Sequence, residues 1–188
     1  MEKLKPRVYV GIKWGLQGPT VLLAARHDPA PHDHVQVIRE VFQEGMLLET
    51  AVGIAKEWQR ELGVRKFYCD PTQPAFIKIM RKQRLCAVPV EAKEVSLAIN
   101  LVKKRLANFK LGAPVSLYFD TIPGRRDGAG AFACPNLMAE FGRFRGREQK
   151  LNRPVKDAPL EMDNFALSAL HYILLGIATE VTPRVRWI

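Results

Sequence analysis

Asp70, Asp163 and Glu40 are carboxylates placed where they can do chemistry. Asp70 ends the apolar run "KFYCD", and the following Pro71 stops that run from continuing as an interior strand. Asp163 heads the helical stretch "EMDNFALSALHYILL", in which Asn164, Ser168 and His171 fall at i, i+4 and i+7 and form a polar stripe on an otherwise apolar helix. Glu40 follows the apolar alternation of a strand; a solvated strand residue is the first account of it, and a place at the same sheet end the alternative. Hard divalent cations such as Mg or Mn take oxygen ligands, so acids at strand ends and helix starts are their candidate ligands. Two such ions could activate a water and steady a leaving oxygen. The competing readings are structural: Asp70 and Asp163 as helix caps, Glu40 as a solvated strand residue. Asp28, Asp120 and Glu140 are further acids without a comparable setting.

Two cationic features bear on the same chemistry. In "VYVGIKWGLQGPT", residues 8–20, apolar alternation leads through a Gly-rich turn into "TVLLAAR", and Lys13 stands where such a strand often presents an acid. An ammonium there swings the local charge by two units, each worth roughly 4 kcal/mol at about 4 Å under an effective dielectric of ~20. Lys13 is expected either to pair with Asp70 or to snorkel to solvent. The stretch 143–156 carries Arg143, Arg145, Arg147, Lys150, Arg153 and Lys156 against one Glu. With Gly142, Gly146 and Pro154 it reads as a loop or ribbon. Its side chains suit non-specific contact with duplex phosphates; a solvated charge run is the plainer account.

The elements that must position these groups follow from periodicity. Residues 7–12, 19–26 and 35–42 read as strands joined by short turns, hence antiparallel. "HDPAPHDHV" between the last two reads as a polar turn. A helix over 48–62 stops at Gly63, followed by strand "KFYCD", helix "AFIKIMRKQR", strand "LCAVPV", a helix over 93–108 and a strand over 115–120. Residues 121–134 are loop-like, 135–142 a short helix, and a final helix runs from near Asp163 to about Thr179. The later strands need helical crossovers and are expected to be parallel. The expected fold is an α/β ribonuclease H-like mixed sheet, its first three strands antiparallel and later strands parallel, flanked by helices.

The 188 residues are read as one domain, 1–188. A net charge of +10 favours polyanionic partners, nucleic acid first. No apolar run reaches the ~18 residues of a membrane span, and "MEKLKPR" does not read as an export signal, so a cytoplasmic place is expected. Cys69, Cys86 and Cys134 form no C-x-x-C pair and read as small core residues. No P-loop or dinucleotide fingerprint is present.

These motifs together resemble the C-terminal nuclease domain of viral terminase large subunits, the phage DNA-packaging motors, over residues 7–176. "VYVGIKWGLQGPT" is similar to the family's opening strand with its G-x-D-x-G, and "REVFQEG" to its third strand. "FYCDPTQPAFIKIMRKQRLCAVPVEA" resembles its D-P-(A/S)-x-P-x-x-I segment, and "EMDNFALSALHYIL" its closing D-D-H-A-x-D-A-L-R-Y helix. The resemblance implies Mg or Mn as cofactor, endonuclease chemistry, and double-stranded DNA, a terminase ATPase domain or a portal protein as partners. It makes Asp70 and Asp163 the retained ligands. Lys13, Asn164 and Ser168 stand at positions where the family carries acids. Three readings follow: a DNA-binding domain with impaired cleavage, an active nuclease with the displaced ligands Asp70, Asp163 and Glu40, or a non-catalytic interaction module. The ATPase half is not in this chain.

Overall fold

Alternating apolar residues build the strands, and a computed structural model of the chain assembles them into one sheet. It describes residues 5–29, 33–90, 95–107, 116–122, 131–151 and 164–181; within these, side chains of 95–96, 144–151 and 181 are not described. The elements are β1 (Arg7–Lys13), β2 (Pro19–Asp28), β3 (His34–Glu44), α1 (Leu48–Leu62), β4 (Val64–Cys69), α2 (Pro74–Lys82), β5 (Ala87–Pro89), α3 (Val95–Ala107), β6 (Leu117–Phe119), α4 (Pro135–Leu151) and α5 (Phe165–Val181). The six strands lie in the order β5-β4-β1-β2-β3-β6. β1, β2 and β3 are antiparallel neighbours, whereas β4 on β1, β5 on β4 and β6 on β3 are parallel. This is the mixed, helix-flanked sheet of the ribonuclease H-like fold that the periodicity predicts.

Each face of the sheet buries its own core. Val10, Ile12, Trp14 and Phe67 pack with Ala51, Ala55 and Trp58 of α1 and Ile77 and Met80 of α2. Tyr9, Leu23, Val37 and Tyr68 pack with Ala98 and Val102 of α3, Leu137 of α4 and the apolar length of α5. The strand period of two sends alternate β1 residues to opposite layers, so Gly11 and Lys13 share the α5 side. Gly63 closes α1 in the left-handed conformation, as its position predicts.

Three expectations need correction. The basic stretch begins as helix: α4 runs unbroken through Gly142 and Gly146 to Leu151, so Arg143, Arg145, Arg147 and Lys150 are helical. A glycine costs a helix only about 1 kcal/mol, which the packing of Leu137 and Met138 offsets. Arg153, Pro154 and Lys156 lie outside the described residues. Cys86 is exposed, while Cys69 and Cys134 are core residues whose thiols burial pushes up to about 12. In the expected polar turn, His27 and His34 extend β2 and β3, and His27 is buried with Nε2 2.7 Å from Asp33 Oδ1.

Candidate functional site

Lys13 and Asp70 meet because β1 and β4 are parallel neighbours whose carboxyl ends coincide. Ile12 pairs with Cys69, and the Asp70 N–H donates to the Ile12 carbonyl at 2.8 Å. The next side chain on each strand points to the α5 face, and Lys13 Nζ lies 2.7 Å from Asp70 Oδ2. Asp70 is fully buried, while the Lys13 side chain keeps 18% of its surface exposed. The other carboxylate oxygen accepts the Thr72 N–H at 2.9 Å, closing the turn into α2. Asp70 thus combines an ion pair with a turn-forming role, and the Lys13 ammonium covers the oxygen that a cation would take.

The first turn of α5 reaches the same sheet end through two glycines. A Cβ on Gly11 would stand 1.9 Å from the Ala169 carbonyl oxygen, and one on Gly18 would stand 2.4 Å from the Phe165 ring. Only bare backbone lets α5 lie this close to β1 and to the turn after it. Asn164 stands just before α5, and its backbone carbonyl accepts the Ser168 N–H at 3.0 Å and the Ser168 hydroxyl at 2.8 Å. The Ser168 hydroxyl is therefore tied to its own helix, a common local bond for serine. His171, further along the polar stripe, is buried, and burial lowers it to about 4, so it is neutral at pH 7. Asp163 lies outside the described residues.

Glu40 and Glu140 serve the helices instead. Glu40 Oε2 accepts the Asn136 backbone N–H and side-chain amide, each at 3.0 Å, and Oε1 accepts the Leu137 N–H at 2.9 Å. Both oxygens cap α4. Glu140 repeats the device one helix on: its oxygens accept the Ala166 N–H at 3.1 Å and the Leu167 N–H at 2.8 Å at the start of α5. Glu140 is fully buried, and burial raises its carboxyl although both N–H donors pull the other way. Carboxylates at helix N-termini satisfy orphan donors and oppose the positive dipole end. A sequence signal for Glu140 exists: it is a charge on the stripe Leu137, Glu140, Phe141.

At the far end of α5 a second charged group anchors the helix. Tyr9 and Tyr68 hydroxyls donate to the two Glu180 oxygens, each at 2.9 Å, and Lys66 pairs with the same carboxylate. Burial alone would raise Glu180, but hydrogen bonds from Lys66, Tyr68 and Tyr9 outweigh it and hold the carboxyl low. Asp28 ends β2 at this far end, beside the start of β1, and Asp120 accepts the Thr121 N–H at 3.0 Å beside β6. Among the described residues no group of three or more His, Cys, Asp or Glu side chains is placed to hold a metal. No described helix is long and apolar enough to cross a membrane.

No protein-family model matches the chain. No curated protein matches it significantly either. Solved structures do. The large terminase of a thermophilic bacteriophage superimposes with a TM-score of 0.66 at 14% identity, over 92% of this chain and 40% of that one. The nuclease domain of the bacteriophage SPP1 large terminase, solved with bound Mn, matches with a TM-score of 0.55 at 14% identity, over 88% of this chain and 84% of that domain. The chain therefore spans about 40% of the thermophilic phage terminase and most of the SPP1 nuclease domain, and it has the terminase nuclease fold. The bound Mn makes a metal centre the natural comparison, and the donor chemistry at Asp70 does not fit one: an ammonium is held where a second carboxylate would be needed.

Proposed function

We propose that this chain is a terminase-type nuclease domain that holds double-stranded DNA during viral packaging and cleaves it weakly or not at all. The Lys13–Asp70 ion pair carries the reading, because it places a positive charge at the candidate metal position and uses an Asp70 oxygen to hold it. Asn164, whose backbone carbonyl is bonded into α5, adds no charge in place of the acid that the resemblance implies. A displaced ligand set of Asp70, Asp163 and Glu40 is disfavoured by the capping role of both Glu40 oxygens. Asp163 remains the acid assigned to this end by the resemblance. Duplex DNA is the partner favoured by the +10 charge, with Arg143, Arg145, Arg147, Lys150, Arg153 and Lys156 as the contacts. A terminase ATPase domain or a portal protein in the host cytoplasm completes the expected setting.

The test is plasmid cleavage over a titration of Mg or Mn, alongside duplex binding at several salt concentrations. Binding without cleavage is the expected result. Replacing Arg145, Arg147 and Lys150 by Gln should lower the slope of log affinity against log salt by about 2 to 3. Robust metal-dependent cleavage that Asp70→Ala abolishes would overturn the impaired-cleavage reading.

A further inference from the structure

We propose that the exposed face of α2 is a second contact for duplex phosphates, on the side of the sheet opposite α4. It rests on the DNA-binding part of the reading above and extends it to a surface outside the 143–156 stretch.

The segment from Pro71 to Val90 contains Lys78, Arg81, Lys82 and Arg84 and no Asp or Glu. All four side chains are exposed, while Ile77 and Met80 hold the helix to the sheet. Neighbouring α1 is different: Glu49, Glu57 and Glu61 interleave with Lys56 and Arg60, and Glu61 pairs with Arg39 at 2.7 Å. α2 has no such neutralisation along its own length. Lys56 adds to it, since its ammonium reaches across from α1 to the Gln83 side-chain oxygen at 2.6 Å. Of the large apolar side chains of α2, Ile79 alone is exposed, which is too little for the apolar centre of a protein interface.

Two features separate this patch from ordinary helix-end chemistry. Basic residues in a last turn complement the helix dipole, which accounts for Arg81 and Lys82. Arg81 also donates from Nε to the Ala87 carbonyl at 2.7 Å. Lys78 stands before that turn and Arg84 beyond the helix, so the dipole explains neither. Arg84 also adopts a left-handed backbone, φ 65°, just past the helix, where glycine is the unstrained choice. A strained position that keeps a guanidinium points to a use for the charge. α2 packs on the face of Trp14 and Phe67, α4 on that of Tyr9 and Tyr68. The two basic surfaces therefore meet separate stretches of backbone.

The experiment measures binding of a fluorescent duplex across salt concentrations for the wild type, for Lys78→Gln/Lys82→Gln/Arg84→Gly, and for Arg145→Gln/Arg147→Gln/Lys150→Gln. Arg81 is left in place because it bonds the backbone. The α2 variant should lose affinity and lower the salt slope by about 2 to 3, additively with the α4 variant. Arg84→Gly alone should weaken binding while its melting temperature stays level or rises. An α4 variant that loses slope beside an unaffected α2 variant would overturn this proposal and leave the DNA-binding reading standing. The converse would support α2 and remove the α4 contacts. A wild type that binds no duplex would overturn both. Displacement of the duplex by polyglutamate as readily as by unlabelled duplex at equal charge would assign the face to an acidic protein and overturn the proposal.

Discussion

The Lys13 ammonium and the Asp70 carboxylate, 57 residues apart in sequence, lie 2.7 Å from each other at the adjoining ends of two parallel strands. The carboxylate is fully buried and the ammonium largely covered, so each charge depends on the other for its solvation. Removing one partner of such a pair leaves a buried charge uncompensated, whereas removing both costs little. Lys13→Met should therefore destabilise the fold by about 3 kcal/mol, and Lys13→Met/Asp70→Asn should regain most of that loss. Asn keeps an acceptor for the Thr72 N–H. Denaturant unfolding of the two singles and the double gives the coupling directly; additive losses would mean the pair is not interacting.

Lys13→Asp together with Asn164→Asp should convert the same end into a cation site. Two new carboxylates would then join Asp70 in place of an ammonium and a neutral amide, and calorimetry should show Mg or Mn binding that the unmodified chain lacks or shows only weakly. Equal affinity in both proteins would place the metal elsewhere.

Gly11→Ala should be among the most damaging single changes in the molecule. Its Cβ would meet the Ala169 carbonyl oxygen at 1.9 Å, and backbone cannot rotate aside. A loss of about 3 kcal/mol is expected from overpacking, read as a fall in the unfolding midpoint. Gly53→Ala is the control, since apart from its own stretch of α1 backbone nothing lies within 4 Å of the added Cβ.

His171 makes stability fall in mild acid. Its folded value of about 4 lies below its ordinary 6.5, so the unfolded chain binds the proton more readily. The contribution is complete above pH 6.5 and is lost as pH drops toward 4, amounting to about 3 kcal/mol. The unfolding free energy of His171→Phe should lack this decline. A difference between variant and wild type that is constant from pH 7 to 4 would count against it.

Glu140 acts in the opposite direction. Burial raises its folded value above the ordinary 4.5, so ionisation on going up through that window costs stability. Glu140→Gln should flatten this component while keeping one acceptor for the α5 donors. Glu140→Ala should cost about 3 kcal/mol on the acid side of that window, because the buried Ala166 and Leu167 N–H groups lose their partner. Amide exchange at those two residues reports it locally.

Apolar periodicity and turn residues are enough to read the order of strands and helices, the antiparallel opening, the helical crossovers and the end of α1 at Gly63. They also mark Asp70 as a strand-end acid and Lys13 as a charge out of keeping with its setting, because both signals are local and depend only on neighbouring residues. The length of α4 escapes such a reading for the same reason: Gly142 and Gly146 weaken a helix locally, and only packing of its first half on the sheet carries it to Leu151. What tertiary structure alone decided are relations between distant segments. The parallel pairing of β1 with β4 turned two separate residues into an ion pair. The approach of α5 explained Gly11 and Gly18, which in sequence read only as part of a strand and of the turn after it. The capping of α4 by Glu40 and of α5 by Glu140 gave both acids a structural role. Such pairings follow from burial of whole faces and from the need of buried N–H groups for an acceptor, and neither is written in any single stretch of chain.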